Sequence, residues 1–302
     1  MAKAPFMGNH QPLIGEVERI SDRVEVVTAP NASPMTYTGT RSYILGREHA
    51  VVIDPGPENA PHLKALLHAL EGRVVEGIFV THAHLDHSPL AADLREIFQV
   101  PVYGCALELA HRRGVSDLGD LEGGEGIDPY FKPDVELSDG NVTHGTGWSL
   151  EAIFTPGHLN DHMSFSDGTH LFCGDHVMGW ASTMISPPQG NLTDFMNSLN
   201  RLLERSEELY LPGHGPVVEN GKEVAAYLLA HRKEREAGIL AILKGGPASI
   251  DEITATLYAD VDKALHRAAA RNVLAHILDL LERSKVAHEG DFSLSSRFFV
   301  TS

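Results

Sequence analysis

Cysteine occurs only twice in this 302-residue chain, at Cys105 and Cys173. Two thiols make no disulfide framework, and Cys173 reads as a buried strand thiol rather than a ligand. Basic residues are also scarce, with 24 Lys and Arg against 41 Asp and Glu and a formal net charge of −17. The deficit is uneven. Residues 1–218 hold 13 basic and 29 acidic side chains, a balance of −16, whereas residues 219–302 hold 11 and 12, a balance of −1. Counterion-release binding needs clustered Lys and Arg, so this composition argues against nonspecific nucleic-acid binding. No apolar run approaches the ~20 residues of a membrane helix. The first ten residues, Met1 to His10, lack the apolar segment of a signal peptide. A cytoplasmic bacterial-type enzyme of two domains is expected, without membrane attachment.

What the chain does hold is histidine, concentrated in one place. Thr81-His-Ala-His-Leu-Asp-His87 puts His82, His84, Asp86 and His87 within six residues. The apolar run Val74 to Val80 leads into it and reads as a buried strand, which aims the ligands at one point on a rigid sheet edge. His82 and His84, two apart, share a face if the chain is still extended there. Asp86 and His87 must then turn another way, which indicates two adjacent ions. Three later segments repeat one grammar of apolar strand, Gly turn and ligand: Thr155-Pro-Gly-His158, Cys173-Gly-Asp175 and Leu211-Pro-Gly-His214. The candidate ligands are therefore His82, His84, Asp86, His87, His158, Asp175 and His214. Imidazole and carboxylate without thiolate suit zinc, with iron or manganese as lesser options.

These motifs resemble the metallo-β-lactamase superfamily: its His-x-His-x-Asp-His signature, Thr-Pro-Gly-His, Gly-Asp and final Gly-His. Asn31 to Thr40, Pro212-Gly-His-Gly-Pro216 and the His231-Arg232 helix further resemble the β-lactamase-like protein 2 family, whose best-known member is a mitochondrial endoribonuclease. Arg41 departs from that pattern, standing where a small polar residue is expected. The resemblance implies an α/β (α+β) fold, a four-layer αββα sandwich followed by a winged helix. It also implies one ion held by His82, His84 and His158, a second by Asp86, His87 and His214, and Asp175 bridging both. Two divalent ions, two carboxylates and a bridging hydroxide leave a net charge of about +1, which favours an anionic or polarised substrate. Asp86 is the candidate catalytic residue, binding its metal and orienting the shared water. No substrate-binding residue is identified.

Around the motifs, residues 17–54 read as strands and turns, 58–71 as a helix, and Pro89 to Phe98 as another. Asp54, ending a strand, is expected to hydrogen-bond a ligand histidine or its loop. Gly114 to Asp134 reads as an acidic, Gly-rich loop, with Tyr130 and Phe131 either roofing the site or anchoring the loop. Trp180 is a pocket-wall or core residue. The domains are read as residues 1–218, catalytic, and 219–302, winged-helix-like. In the second, Lys222 to Leu243 is a long helix carrying His231 as an interdomain contact. Ser249-Ile-Asp-Glu252 forms a capping box. Asp262 to Arg283 is a helix, and Val286 to His288 with Phe292 to Val300 forms a hairpin. Arg267 and Arg271, one turn apart, are expected in helix packing or dimerisation rather than on DNA.

The leading expectation is a dinuclear-zinc hydrolase of a small ester, thioester or lactone. The alternatives are an endoribonuclease on single-stranded RNA and a nucleic-acid-binding or regulatory protein with structural metals. Seven ligands with a bridging carboxylate disfavour the last, because structural zinc sites are closed four-ligand cages. The expected partner is a small molecule, nucleic acid is disfavoured, and a homodimer is left open.

Overall fold

Runs of Val, Ile and Tyr favour pleated, half-buried backbone. In the computed structural model they form antiparallel neighbours β1 (Val17–Arg19), β2 (Val24–Thr28), β3 (Arg41–Gly46) and β4 (His49–Ile53). The structure describes residues 4–106 and 126–301. Helix α1 (Ala60–Ala69) begins where the Asn59 side chain accepts from the His62 amide, with a proline in its first turn. It returns the chain so that β5 (Val74–Phe79) runs parallel to β4. Helix α2 (Leu90–Phe98) does the same for β6 (Val102–Gly104), and β7 (Val135–Glu136) completes a seven-stranded sheet. A second sheet of five strands holds β8 (Val142–Gly145), β9 (Trp148–Phe154), β10 (Met163–Ser166), β11 (His170–Gly174) and β12 (Leu209–Pro212). Helix α3 (Leu192–Glu204) is the crossover that lets β12 lie parallel to β11.

Strand β4 shows how period-two alternation makes layers. Ala50 and Val52 join the core beneath α1 and α2, while Val51 and Ile53 join the core between the sheets. The intersheet core also contains Tyr43, Phe79, Phe165, Phe172 and Leu211. On the far side, Phe195 and Leu199 of α3 pack with Val224 and Leu228 of helix α4 (Gly221–Lys244) over Leu171 and Tyr210. This is the expected four-layer αββα sandwich.

Helix α4 is long enough to serve two cores, since its later residues Ile239 and Leu243 belong to a separate C-terminal one. That core is completed by α5 (Ile250–Leu257), α6 (His266–Glu282) and the hairpin of β13 (Val286–His288) with β14 (Phe298–Val300). The Ser249–Glu252 capping box that opens α5 is formed in both directions. The hairpin is shorter than the sequence indicates. The Ser293 amide donates to Ser296 Oγ and the Ser296 amide to the Ser293 carbonyl, so a side-chain turn replaces the first half of the expected strand. Among the described residues no helix is long and apolar enough to cross a membrane.

Parallel pairing has one consequence for chemistry. β4 and β5 share a direction, as do β9, β11 and β12, so five C-terminal strand ends gather at one edge of the sandwich. Cross-sheet bonds tie that edge together: the Met163 amide donates to the Thr81 carbonyl (2.7 Å) and Tyr43 Oη to the Pro212 carbonyl (2.8 Å).

The intersheet core sets the stability of this edge. Phe165 is fully buried, with its ring centroid 5.3 Å from that of Phe79. Phe165→Ala should cost about 3–5 kcal/mol through lost burial and a residual cavity. In urea unfolding the midpoint should fall with the slope unchanged. A loss below about 1 kcal/mol would contradict this packing.

Candidate metal centre

The loop after β5 is held by a buried carboxylate from the neighbouring strand. Asp54, at the end of β4, accepts from the Thr81 amide (2.7 Å), Thr81 Oγ1 (2.8 Å) and His87 Nδ1 (3.0 Å). The expected contact between Asp54 and a ligand histidine is thus present. With its hydroxyl hydrogen given to Asp54, Thr81 Oγ1 accepts from His82 Nδ1 at 3.0 Å. His158 Nδ1 donates to the Met184 carbonyl (2.9 Å), and His214 Nδ1 faces the Gly39 carbonyl (3.4 Å). An acceptor behind Nδ1 fixes the tautomer, so His82, His87, His158 and His214 all turn Nε2 inward.

Two clusters result. In the first, His84 Nδ1 lies 2.9 Å from His82 Nε2 and 3.1 Å from His158 Nε2. In the second, His214 Nε2 lies 3.0 Å from Asp86 Oδ2 and 3.4 Å from His87 Nε2. Asp175 stands between them, with Oδ2 3.3 Å from His214 Nε2 and 3.7 Å from His158 Nε2. All seven residues singled out in the sequence are brought together, and they fall into the two expected sets of three around Asp175.

The donors fit divalent ions. Two ligands about 2.0–2.1 Å from one tetrahedral ion lie about 3.4 Å apart, close to the spacings seen here. Asp175 Oδ1 is buried without a hydrogen-bond partner, its neighbour His87 Nε2 being 3.5 Å away. A buried carboxylate oxygen left so is costly unless a cation meets it. Backbone presses in as well: a Cβ at Gly213 would meet His87 Cε1 at 2.5 Å and Asp175 Oδ1 at 2.6 Å. Only glycine fits there.

Electrostatics divide the site. Burial and neighbouring imidazoles hold His82 far below the ordinary histidine range, and burial with His158 beside it holds His84 at about 3. His158 is lowered too, mainly by burial. These three are neutral lone-pair donors. The second cluster is opposite in sign. Burial works against a proton on His214, but Asp175 and Asp86 outweigh it and lift its pKa to about 9. His87 is raised likewise, burial being overcome by Asp86, Asp175 and Asp54.

The surroundings assign several doubtful residues. Arg41 is 2% exposed and donates to the Gly215 carbonyl (3.1 Å) and His10 (2.7 Å), while its amide binds the Gly213 carbonyl. It clamps the loop of His214. Trp180 stacks on Tyr37 at 4.8 Å and packs against Gly215, so it buttresses the same loop. Phe131 packs into the core under α2, whereas Tyr130 is 91% exposed. Most of the acidic segment from Gly114 lies outside the described residues. Cys173 is fully buried with its thiol on the Val177 carbonyl, and burial pushes its pKa far up.

A pocket of about 410 Å³ opens onto the clusters, lined by His84, Asp86, His158, Asp175 and His214 together with Met35, Leu159, Met184 and Arg271. Sequence reasoning placed Arg271 in helix packing, yet it comes from α6 into the wall of this pocket. Reasoning from sequence also passed over Asp161, which accepts from the Ala83 amide (2.9 Å), and His162, which accepts from the Asp175 amide (3.2 Å). Their signal was visible, since both follow His158 within four residues.

Clustered imidazoles and carboxylates at the strand ends of an αββα sandwich define a metal-dependent hydrolase. The chain belongs to the metallo-beta-lactamase superfamily, whose model matches residues 36–214, more than half of the sequence. Residues 249–295 match the beta-lactamase associated winged helix domain. A beta-lactamase-like protein 2 homolog of Caenorhabditis elegans is 29% identical over 270 residues, 85% of this chain and 83% of the relative. An atrochrysone carboxyl ACP thioesterase of Aspergillus fumigatus is 30% identical over 241 residues, 77% of this chain and 69% of the relative. A beta-lactamase domain protein from Burkholderia ambifaria shares the fold at a TM-score of 0.78 and 20% identity, covering 97% of this chain and 96% of that one.

The unequal protonation gives a test. An ion entering the second cluster must displace protons from His87 and His214, which hold them up to and above neutral pH. An ion entering the first meets imidazoles already neutral. As pH falls below about 9, affinity at the second cluster should drop about tenfold per pH unit through the proton on His214, and more steeply where His87 is protonated as well, with the first cluster nearly flat. Chelator-competition titrations at several pH values measure both steps. Equal slopes would sink the division.

Proposed function

We propose that the protein is a dinuclear-zinc hydrolase acting in the cytoplasm on a small ester, thioester or lactone that carries an anionic group. One observation carries the reading: six nitrogen and oxygen donors surround a single central carboxylate at the base of a mostly apolar pocket. His82, His84 and His158 would hold one ion, Asp86, His87 and His214 the other, with Asp175 between them. Bound ions of this kind supply Lewis acidity and a water whose pKa is lowered to about 7. Asp86 is the most open of the carboxylates, its side chain 26% exposed against 9% for Asp175. In this reading Asp86 would bind its metal and orient the nucleophilic water.

Specificity falls to the pocket wall. Met35, Leu159 and Met184 offer apolar surface to an acyl chain, and Arg271 is the one Lys or Arg among the described lining residues. That supports a single anionic group on the substrate and does not supply the basic track that single-stranded RNA requires. The thioesterase name borne by the Aspergillus fumigatus relative agrees with an acyl substrate. We place the functional boundary at 218/219. The catalytic body, residues 1–218, then carries every donor, and residues 219–302 contribute Arg271 to its pocket. Helix α6 is buried along Ala269–Leu280, which speaks against its entering a DNA groove.

A panel of thioesters, lactones, phosphodiesters and a short RNA decides among substrates. Asp175→Ala should release at least one ion and abolish hydrolysis. Arg271→Ala should raise KM about tenfold or more for a carboxylated thioester, with a neutral one changed far less. RNA cleavage that disappears in His84→Ala, with the small substrates untouched, would overturn the proposal.

A further inference from the structure

The segment from Thr183 to Ile185 touches the centre at two points. Thr183 is fully buried, and its hydroxyl lies 2.9 Å from the Asp175 carbonyl and 3.1 Å from that of His176. The next residue, Met184, gives its carbonyl to His158 Nδ1. This short stretch of irregular backbone therefore sets the ring orientation of one candidate ligand and braces the chain beside another.

Irregular backbone holds such a position only if something holds it in turn. Here the holding groups come from the C-terminal helices. Arg232 of α4 donates through Nη2 to the Thr183 carbonyl and through Nη1 to Asn272 Oδ1 (2.9 Å). Asn272 of α6 accepts from the Ile185 amide (3.3 Å), and its own Nδ2 donates to the Ala268 carbonyl (3.3 Å), which fixes the amide's orientation. Arg232 is 2% exposed, and its guanidinium carbon lies 5.5 Å from the Phe195 ring centroid. Its hydrogen-bond partners here are neutral oxygens. Burying a cation on neutral acceptors is costly, and a methionine would fill much of the space without that cost. What the guanidinium adds is a planar fork reaching two acceptors at once.

We propose that Arg232 and Asn272 are positioning residues, through which the C-terminal module holds His158 in ligating orientation. The inference rests on His158 being a ligand, as proposed above. Partners that orient a ligating histidine matter about 10–100-fold in metal affinity.

The test is chelator-competition titration of zinc on the full-length protein, resolving both binding steps. His158→Ala identifies which step belongs to the first cluster. If that variant keeps both steps at wild-type affinity, the ligand assignment fails, and the positioning role with it. If one step is lost, Arg232→Met and Asn272→Ala should each weaken that step about 10–100-fold and leave the other within about threefold. Arg232→Lys, which restores the charge and one donor, should recover part of the loss. Asn272→Ala leaves the buried charge in place, so it carries the same expectation if Arg232→Met does not fold. Wild-type affinity at the identified step would overturn the inference, as would equal weakening of both steps.

Discussion

Everything at the active edge depends on the three hydrogen bonds accepted by Asp54. Five imidazoles crowded at the end of a sheet are individually expensive, because each loses water and gains neighbours of like character. Their inward lone pairs are useful only if their outer nitrogens are committed elsewhere. Asp54 does this for His87 directly and for His82 through Thr81, and it ties the end of β4 to the loop that follows β5. Its φ of 51° lies in the left-handed region, unusual for a residue other than glycine or asparagine. The backbone accepts that conformation because three bonds over-determine it. Remove the carboxylate, and two imidazoles lose their tautomer together.

The division of the site into a neutral and a protonated half follows from where the carboxylates stand. Asp86 and Asp175 both approach His214 and His87, so in the absence of an ion protons occupy the place of positive charge there. Around His82, His84 and His158 the carboxylates count for less, Asp175 Oδ2 lying 3.7 Å from His158 Nε2, and burial prevails there, so these rings are held below the ordinary histidine range. The two halves are chemically distinct although Asp175 stands between them. An acidic protein body is compatible with this centre, since bound cations offset some of the charge gathered in residues 1–218.

Legibility in the sequence followed the range of the interaction involved. The seven donors could be read because each sits beside a strand and a tight turn, both local features that composition encodes. The four layers were implied by the family resemblance that those motifs carry, while the helices at 58–71 and from Pro89 to Phe98 could be read from apolar spacing. What could not be read was which side of a long helix reaches the site. Helical spacing put His231 on the inner face of α4, but the deeply buried cation is its neighbour Arg232. Arg271 sat on a predicted packing helix, and only the docking of α6 shows that it lines the metal pocket. Arg41 departed from the family pattern without a visible reason. The structure supplies one: its guanidinium reaches the Gly215 carbonyl, 174 residues away in the chain. Such contacts have no local signature.

The C-terminal module is bound to the catalytic body more closely than an appended unit would be. Val224 and Leu228 of α4 lie in the core over the second sheet, and Ala275 of α6 joins them there. The same two helices supply Arg232 and Asn272 to the Thr183–Ile185 segment, and Arg271 to the pocket. A chain ending at Val218 would contain every donor but would lack part of the outer cover of its second sheet and the bonds behind Met184. Metal affinity and docking of the module are then linked free energies, because an ion that prefers a well-oriented His158 also favours the docked helices. By that reciprocity, substrates that contact Arg271 would tighten the grip of the module on the body. The winged helix would then work as part of the hydrolase site, and substrate choice could change through α6 without any change in the ligands.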